Sequence, residues 1–115
     1  MQGWTTLRAK EEFQRIYRCG SRVAGQYMIM YSRVGEGESL YRLRVGIVCG
    51  RRVGKAVVRN RVRRLIKEAI RRQINKLERP AEMVLVARPE AKEADFWALE
   101  RELKEMWLRA GLISE

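Results

Sequence analysis

GRRVGKAVVRNRVRRLIKEAIRRQINKL, residues 50–77, joins a helical apolar period to an almost unbroken run of positive charge. After Gly54, the apolar residues Val58, Val62, Leu65, Ile66, Ala69, Ile70 and Leu77 recur mainly at spacings of three and four, the period of a helix that buries one face. At ~100° per residue, Asn60, Arg63, Arg64, Lys67 and Arg71 fall opposite that stripe. Between Arg51 and Arg72 stand Arg51, Arg52, Lys55, Arg59, Arg61, Arg63, Arg64, Lys67, Arg71 and Arg72, with Glu68 as their lone carboxylate. Like charges one turn apart repel. A solvated charged face is the bland reading of such a run, but a face of one sign calls for a polyanion. Arginine suits that task, because its planar fork pairs with phosphate and stacks on bases.

Three sharper motifs fail on spacing. A P-loop needs four residues between its glycines and a hydroxyl after the lysine; Gly50 and Gly54 enclose three, and Ala56 follows Lys55. The same spacing excludes a KH-type GXXG clamp. A leucine-zipper basic region would continue into apolar heptads, whereas this helix runs into Glu78-Arg79-Pro80 and stops.

Arg52 to Glu68, RVGKAVVRNRVRRLIKE, closely resembles the signature of the bacterial ribonuclease P protein component, roughly K-x-G-x-A-V-x-R-N-R-x-K-R-x-x-R-E. Its Arg-Asn-Arg core stands at Arg59, Asn60 and Arg61, while Arg52, Arg63 and Lys67 exchange one basic residue for another. The resemblance is good from about Leu7 to Arg88 and weaker in the last helix.

The rest of the chain reads as a frame for this helix. Residues 1–6 look like a short arm in which only Trp4 can pack. Residues 7–20 form a first helix with Phe13, Ile16 and Tyr17 on one face and Gly20 as its stop. Phe13 and Tyr17 are spaced i,i+4, so both should be core or both should face a groove. Arg22–Tyr31 and Tyr41–Cys49 read as strands joined by a hairpin connection, Gly35-Glu-Gly-Glu-Ser39. In the second strand Leu43, Val45, Ile47 and Cys49 alternate with Arg42, Arg44, Gly46 and Val48. Met83–Arg88 is apolar enough to be a strand buried on both sides. A last helix, residues 94–110, turns Phe96, Leu99, Leu103, Met106 and Trp107 inward and places Glu100, Arg101, Glu102 and Glu105 in solvent. Asp95 stands where it can cap that helix, and Gly111 follows its end.

The expected fold is therefore one α+β domain over residues 1–115, a two-layer α/β sandwich of order α-β-β-α-β-α, with room for a short strand near Arg51–Val53. The resemblance implies a topology like the second domain of ribosomal protein S5, with a left-handed β-α-β crossover.

Composition narrows the function. The 115 residues carry 25 basic and 14 acidic groups, a net charge of +11, and 46% are apolar. That is enough to bury one core and to leave an electrostatic footprint for nucleic acid. No apolar run reaches the ~18 residues of a membrane span, and no signal peptide is visible. Cys19 and Cys49 lack zinc-ligand spacing and read as small buried hydrophobes in a reducing cytoplasm. With no histidine in the chain, the commonest general base and metal ligand is absent. No catalytic residue, metal ligand or small-molecule substrate is assigned to this polypeptide.

The resemblance implies partners and roles. The chain would bind a large catalytic RNA and precursor tRNA and assist removal of the 5′ leader, with magnesium ions held mainly by RNA. Arg51, Arg52, Lys55, Arg59, Asn60, Arg61, Arg64 and Lys67 form the expected RNA-facing set, although Arg59 lies at the stripe's edge, where it can instead support the strand beneath. Phe13, Tyr17 and Tyr31 would line a cleft for the single-stranded leader, where stacking works without sequence preference. On periodicity alone core packing is the better account of the first two, and a plain sheet tyrosine fits Tyr31 nearly as well. A structural ribosomal or ribosome-assembly protein is the alternative; it explains the charge but not the aromatic first helix. A sequence-specific DNA-binding protein has little support, since no helix-turn-helix spacing is visible.

Overall fold

A computed structural model describes residues 2–35 and 41–114. Among the described residues eight strands and α-helices follow in order: β1 (Gln2–Thr6), α1 (Lys10–Cys19), β2 (Ser21–Ala24), β3 (Met28–Val34), β4 (Tyr41–Val48), α2 (Ala56–Gln73), β5 (Ala81–Ala87) and α3 (Phe96–Arg109). The strands make one sheet in the order β1-β4-β5-β3-β2. β5 runs parallel to β4 and antiparallel to β3.

The α+β class holds, with four differences in detail. The expected arm is a strand: β1 pairs in parallel with β4, matching Trp4 to Leu43, and Leu7 N–H donates to the Val45 carbonyl. This segment has little apolar signal of its own, and pairing with a distant edge makes it a strand. The expected strand Arg22–Tyr31 is an antiparallel pair, β2 and β3, turning through Gly25 to Tyr27. The strands on either side of the expected Gly35–Ser39 hairpin are not neighbours, because β5 lies between them; residues 36–39 lie outside the described residues. Finally, Arg51–Val53 is a turn rather than a strand, closed by Val53 N–H to Gly50 O and Gly54 N–H to Arg51 O.

Helices cover both faces of the sheet, so the expected two layers gain a partial third. On one face Val62, Ile66 and Ile70 of α2 and Leu99, Leu103, Met106 and Trp107 of α3 pack on Met28, Met30, Leu43, Val45, Met83 and Leu85. On the other, α1 rests on a small cluster of Leu7, Ile16 and Val84, flanked by Phe13, Tyr31, Val48 and Val86. The alternation expected in β4 is observed, with Leu43 and Val45 toward the main core and Val48 toward α1. Asp95 caps α3 by accepting from Ala98 N–H at 2.8 Å, and Gly111 follows that helix with a φ of 74° that favours glycine.

Two carboxylates hold elements together. Glu102 of α3 does not sit in the mixed wet surface expected of it. It accepts from the backbone N–H groups of Gln26, Tyr27 and Met28 at 2.8–3.1 Å, satisfying the turn between β2 and β3. Glu12 accepts from the N–H groups of Ala9 and Arg8 at the start of α1. This is half a capping box, since Ala9 has no side-chain acceptor to return the bond. The Arg44 guanidinium bridges Glu12 to Glu82 of β5, which is nearly buried and also faces Arg15 and Arg33.

The cysteines divide. Cys49 is buried as expected, whereas Cys19, at the last residue of α1, is exposed. Burial pushes the Cys49 thiol above its ordinary value, against the opposing pull of Arg63 and Arg59.

Glu102→Ala should destabilise the fold by about 2–4 kcal/mol in urea titrations, because it strands three N–H groups that now share a charged acceptor. A loss below ~0.5 kcal/mol would show that water satisfies the turn equally well. The Ala9 N–H bond, outweighing partial burial and reinforced by Arg8 and Arg44, holds the Glu12 carboxyl below its ordinary value. A depressed carboxylate stabilises the fold above its unfolded pKa, and that contribution is lost as pH falls through the folded one. Glu12→Gln should therefore lower Tm at pH 7, and the gap to the parent protein should narrow below about pH 4. A gap independent of pH would contradict this role.

Candidate nucleic-acid interface

The face of the sheet under α1 is only partly covered, and the uncovered part forms a groove. Gly46 sets its geometry: a Cβ there would overlap the Phe13 ring, so glycine lets the aromatic lie against β4. Phe13 is thereby half-buried. One turn on, Tyr17 is 40% exposed. The pair expected to be both core or both groove is split, Phe13 a seat for α1 and Tyr17 a free rim. The Tyr17 and Tyr31 rings meet edge to face at 4.8 Å between centroids and 87° between planes. Burial, and then the neighbouring Tyr31, push the Tyr17 hydroxyl above its ordinary value.

From this aromatic wall an apolar floor continues across the sheet. Val48 and Val86, which flank the α1 cluster, also line an open concavity of about 760 Å³ with Ile29 and Val53. Around it stand Arg22 of β2, paired in register with Tyr31, Arg52 of the turn before α2, and Arg88 after β5, which also donates to the Gly25 carbonyl at 3.1 Å, with Glu90 as the one acid in the lining. Sequence reasoning found Arg52 but missed Arg22, Arg88 and the floor. The alternation of Gly46 and Val48 away from the main core was the available signal for the floor; no local pattern announces Arg22 or Arg88.

The Arg-Asn-Arg helix divides into exposed and committed residues. Arg51, Arg52, Lys55, Asn60 and Arg64 are exposed. Lys67 is half-buried and shares a smaller opening with Phe13, Gly46 and Ile47, beside Thr6 at the end of β1. Arg61 donates to the Ala94 carbonyl at 3.2 Å, so it ties α2 to the turn before α3. Arg63, left out of the expected set, donates to Cys49 O and to Asn60 Oδ1. Arg59 is half-buried, and its Nε is buried without a partner. Among the described residues Arg51, Arg52, Lys55 and Arg64 make no ion pair, whereas Arg71 and Arg72 pair with Glu68 and Glu100.

No cluster of three or more His, Cys, Asp or Glu side chains that could hold a metal is gathered among the described residues. Glu12, Glu82 and Glu102 already serve guanidinium or backbone N–H groups. Among the described residues the donor set does not fit magnesium. Nor, among the described residues, is any helix long and apolar enough to cross a membrane.

A family model described as Ribonuclease P matches residues 1–111. The ribonuclease P protein component of Clostridioides difficile is 36% identical over 107 residues, covering 92% of this chain and 91% of that protein. The corresponding protein of Brevibacillus brevis is 35% identical over 109 residues, covering 95% and 85%. The solved RNase P protein of Thermotoga maritima superposes with a TM-score of 0.78 at 27% identity, over 90% of this chain and 96% of that one. That of Staphylococcus aureus gives 0.83 at 24% identity over 95% and 97%, a likeness of fold. With nearly its whole length matched, the chain belongs to the ribonuclease P protein family, the RNA-binding protein subunit of a tRNA-processing endoribonuclease.

Proposed function

We propose that the groove between α1 and the sheet holds the single-stranded 5′ leader of precursor tRNA, while the outer face of α2 and the turn before it hold the catalytic RNA. The observation that carries this reading is the continuity of the groove: the Tyr17–Tyr31 pair, the floor of Val48, Val86 and Ile29, and Arg22, Arg52 and Arg88 around it. Rings and aliphatic surface accept any base by its face, and guanidinium groups follow the phosphates. Its described lining contains no Asn or Gln to read a base edge, which suits leaders of many sequences.

Arg51, Lys55 and Arg64, with Asn60 beside them, point to a second strand of contacts, and among the described residues no carboxylate pairs with the three cations. The role of Arg61 is to position α2, since it is engaged by Ala94. In this reading the protein binds and orients RNA and lowers the repulsion between two polyanions. Magnesium supplies the charge for phosphodiester hydrolysis from sites on the RNA, and no residue here is assigned to hold it. Two free thiols agree with a cytoplasmic setting.

Tyr17→Ala separates the two surfaces, because Tyr17 stands on the rim at 40% exposure and its loss should lower Tm only slightly. The reconstituted enzyme should lose about 1–3 kcal/mol of affinity for leader-bearing tRNA and almost none for mature tRNA. Lys55→Ala with Arg64→Ala should weaken binding of the catalytic RNA whether or not a leader is present, and should flatten the salt dependence by about one log unit per lost phosphate contact. Equal losses on both tRNAs in Tyr17→Ala would refute the leader groove.

A further inference from the structure

A second groove lies on the other side of the sheet, between the end of α2 and the start of α3. It encloses about 350 Å³ and is lined by Arg72, Gln73, Lys76, Trp97, Arg101 and Lys104, with Glu100 at its edge. Helical spacing builds it: Trp97, Arg101 and Lys104 follow one another at i, i+4 and i+7 along α3, and Arg72 and Lys76 at i and i+4 across the end of α2. Trp97 is 55% exposed, against complete burial for Trp107 on the same helix. The Arg72 guanidinium stands 5.3 Å from the Trp97 ring centroid and 5.6 Å from that of Phe96, held there by Glu100 at 2.7 Å. Arg72 is thus both paired and stacked, and it braces the indole.

The remaining charges have no such employment. Among the described residues Lys76, Arg101 and Lys104 make no ion pair. Gln73 is 3% exposed; its Nε2 donates to the Glu100 carbonyl at 3.0 Å, and its Oε1 is buried without a donor. An indole braced in place, with three free cations around it, forms a set that a nucleotide satisfies. Its base has a face for the indole, and its flanking phosphates suit the cations.

We propose that this α2–α3 groove is a second single-stranded RNA site, in which one unstacked base lies on Trp97 and the adjoining phosphates lie on Lys76, Arg101 and Lys104. It uses none of the residues of the leader groove and sits on the opposite face of the sheet. The segment it takes comes from the catalytic RNA or from the body of the tRNA; the chemistry is the same, and binding assays tell them apart.

The test uses Trp97→Ala with Lys104→Ala, both at exposed positions, and Trp97→Phe as the conservative variant. Affinity is measured for the catalytic RNA alone and, in the reconstituted enzyme, for precursor and mature tRNA. The double variant should lose on the order of ten-fold for one of these RNAs, with its Tm near that of the parent protein, and Trp97→Phe should retain most of the affinity. A loss on the catalytic RNA, or an equal loss on both tRNAs, identifies the source. A loss confined to the leader would instead assign these residues to the leader path and overturn the second site. Direct titration keeps the test independent of the variants' folding: oligoadenylate of about ten nucleotides should quench the exposed indole saturably in the parent protein, and the quench should vanish in Trp97→Phe. Unchanged affinities with no quench, or quenching by polyglutamate but not by oligoadenylate, would overturn the proposal.

Discussion

β5 is the constraint on which the rest depends. Its residues Ala81–Leu85 are buried, it hydrogen-bonds to strands on both sides, and its side chains feed both hydrophobic clusters. Met83 and Leu85 point to α2 and α3, while Val84 points to α1. One strand thereby fixes a basic helix on one face and an aromatic helix on the other. A polar substitution at Val84 would disrupt the cluster of Leu7, Ile16 and Val84 through which α1 is seated. The groove beside α1 exists because that seat is so small: α1 covers part of the face and leaves the valines beyond it open.

Charge is distributed according to the same division. Where guanidinium groups hold the fold together they are matched, as in Arg44 with Glu12 and Glu82, Arg72 with Glu100, and Arg61 with the Ala94 carbonyl. Where they remain unmatched, around Arg51 to Arg64 and again at Lys76, Arg101 and Lys104, a folded chain alone carries uncompensated repulsion. An RNA partner relieves it through the release of counterions.

The features legible in the sequence were those written in local periods. The α2 stripe, the alternation of β4, the two-sided burial of β5 and the apolar face of α3 all follow from residues within a few positions of one another. What stayed hidden depends on distant partners. β1 is a strand only because β4 offers an edge, and Glu102 is structural only because a turn 75 residues away presents its N–H groups. The Arg-Asn-Arg helix shows both limits at once: its spacing revealed the charged face, yet nothing local distinguishes Arg61, spent on Ala94, from Arg64, free in solvent. Cys19 misled because cysteine is usually buried, whereas here it ends a helix at the surface.

Site-specific photocrosslinking measures the central claim most directly. A benzophenone side chain in place of Tyr17, in the enzyme reconstituted with its RNA, should crosslink to leader nucleotides of precursor tRNA, and the product should disappear when mature tRNA is supplied. The same group in place of Arg64 should crosslink to the catalytic RNA with either substrate. Crosslinks from Tyr17 that fall in the catalytic RNA and persist without a leader would contradict the account.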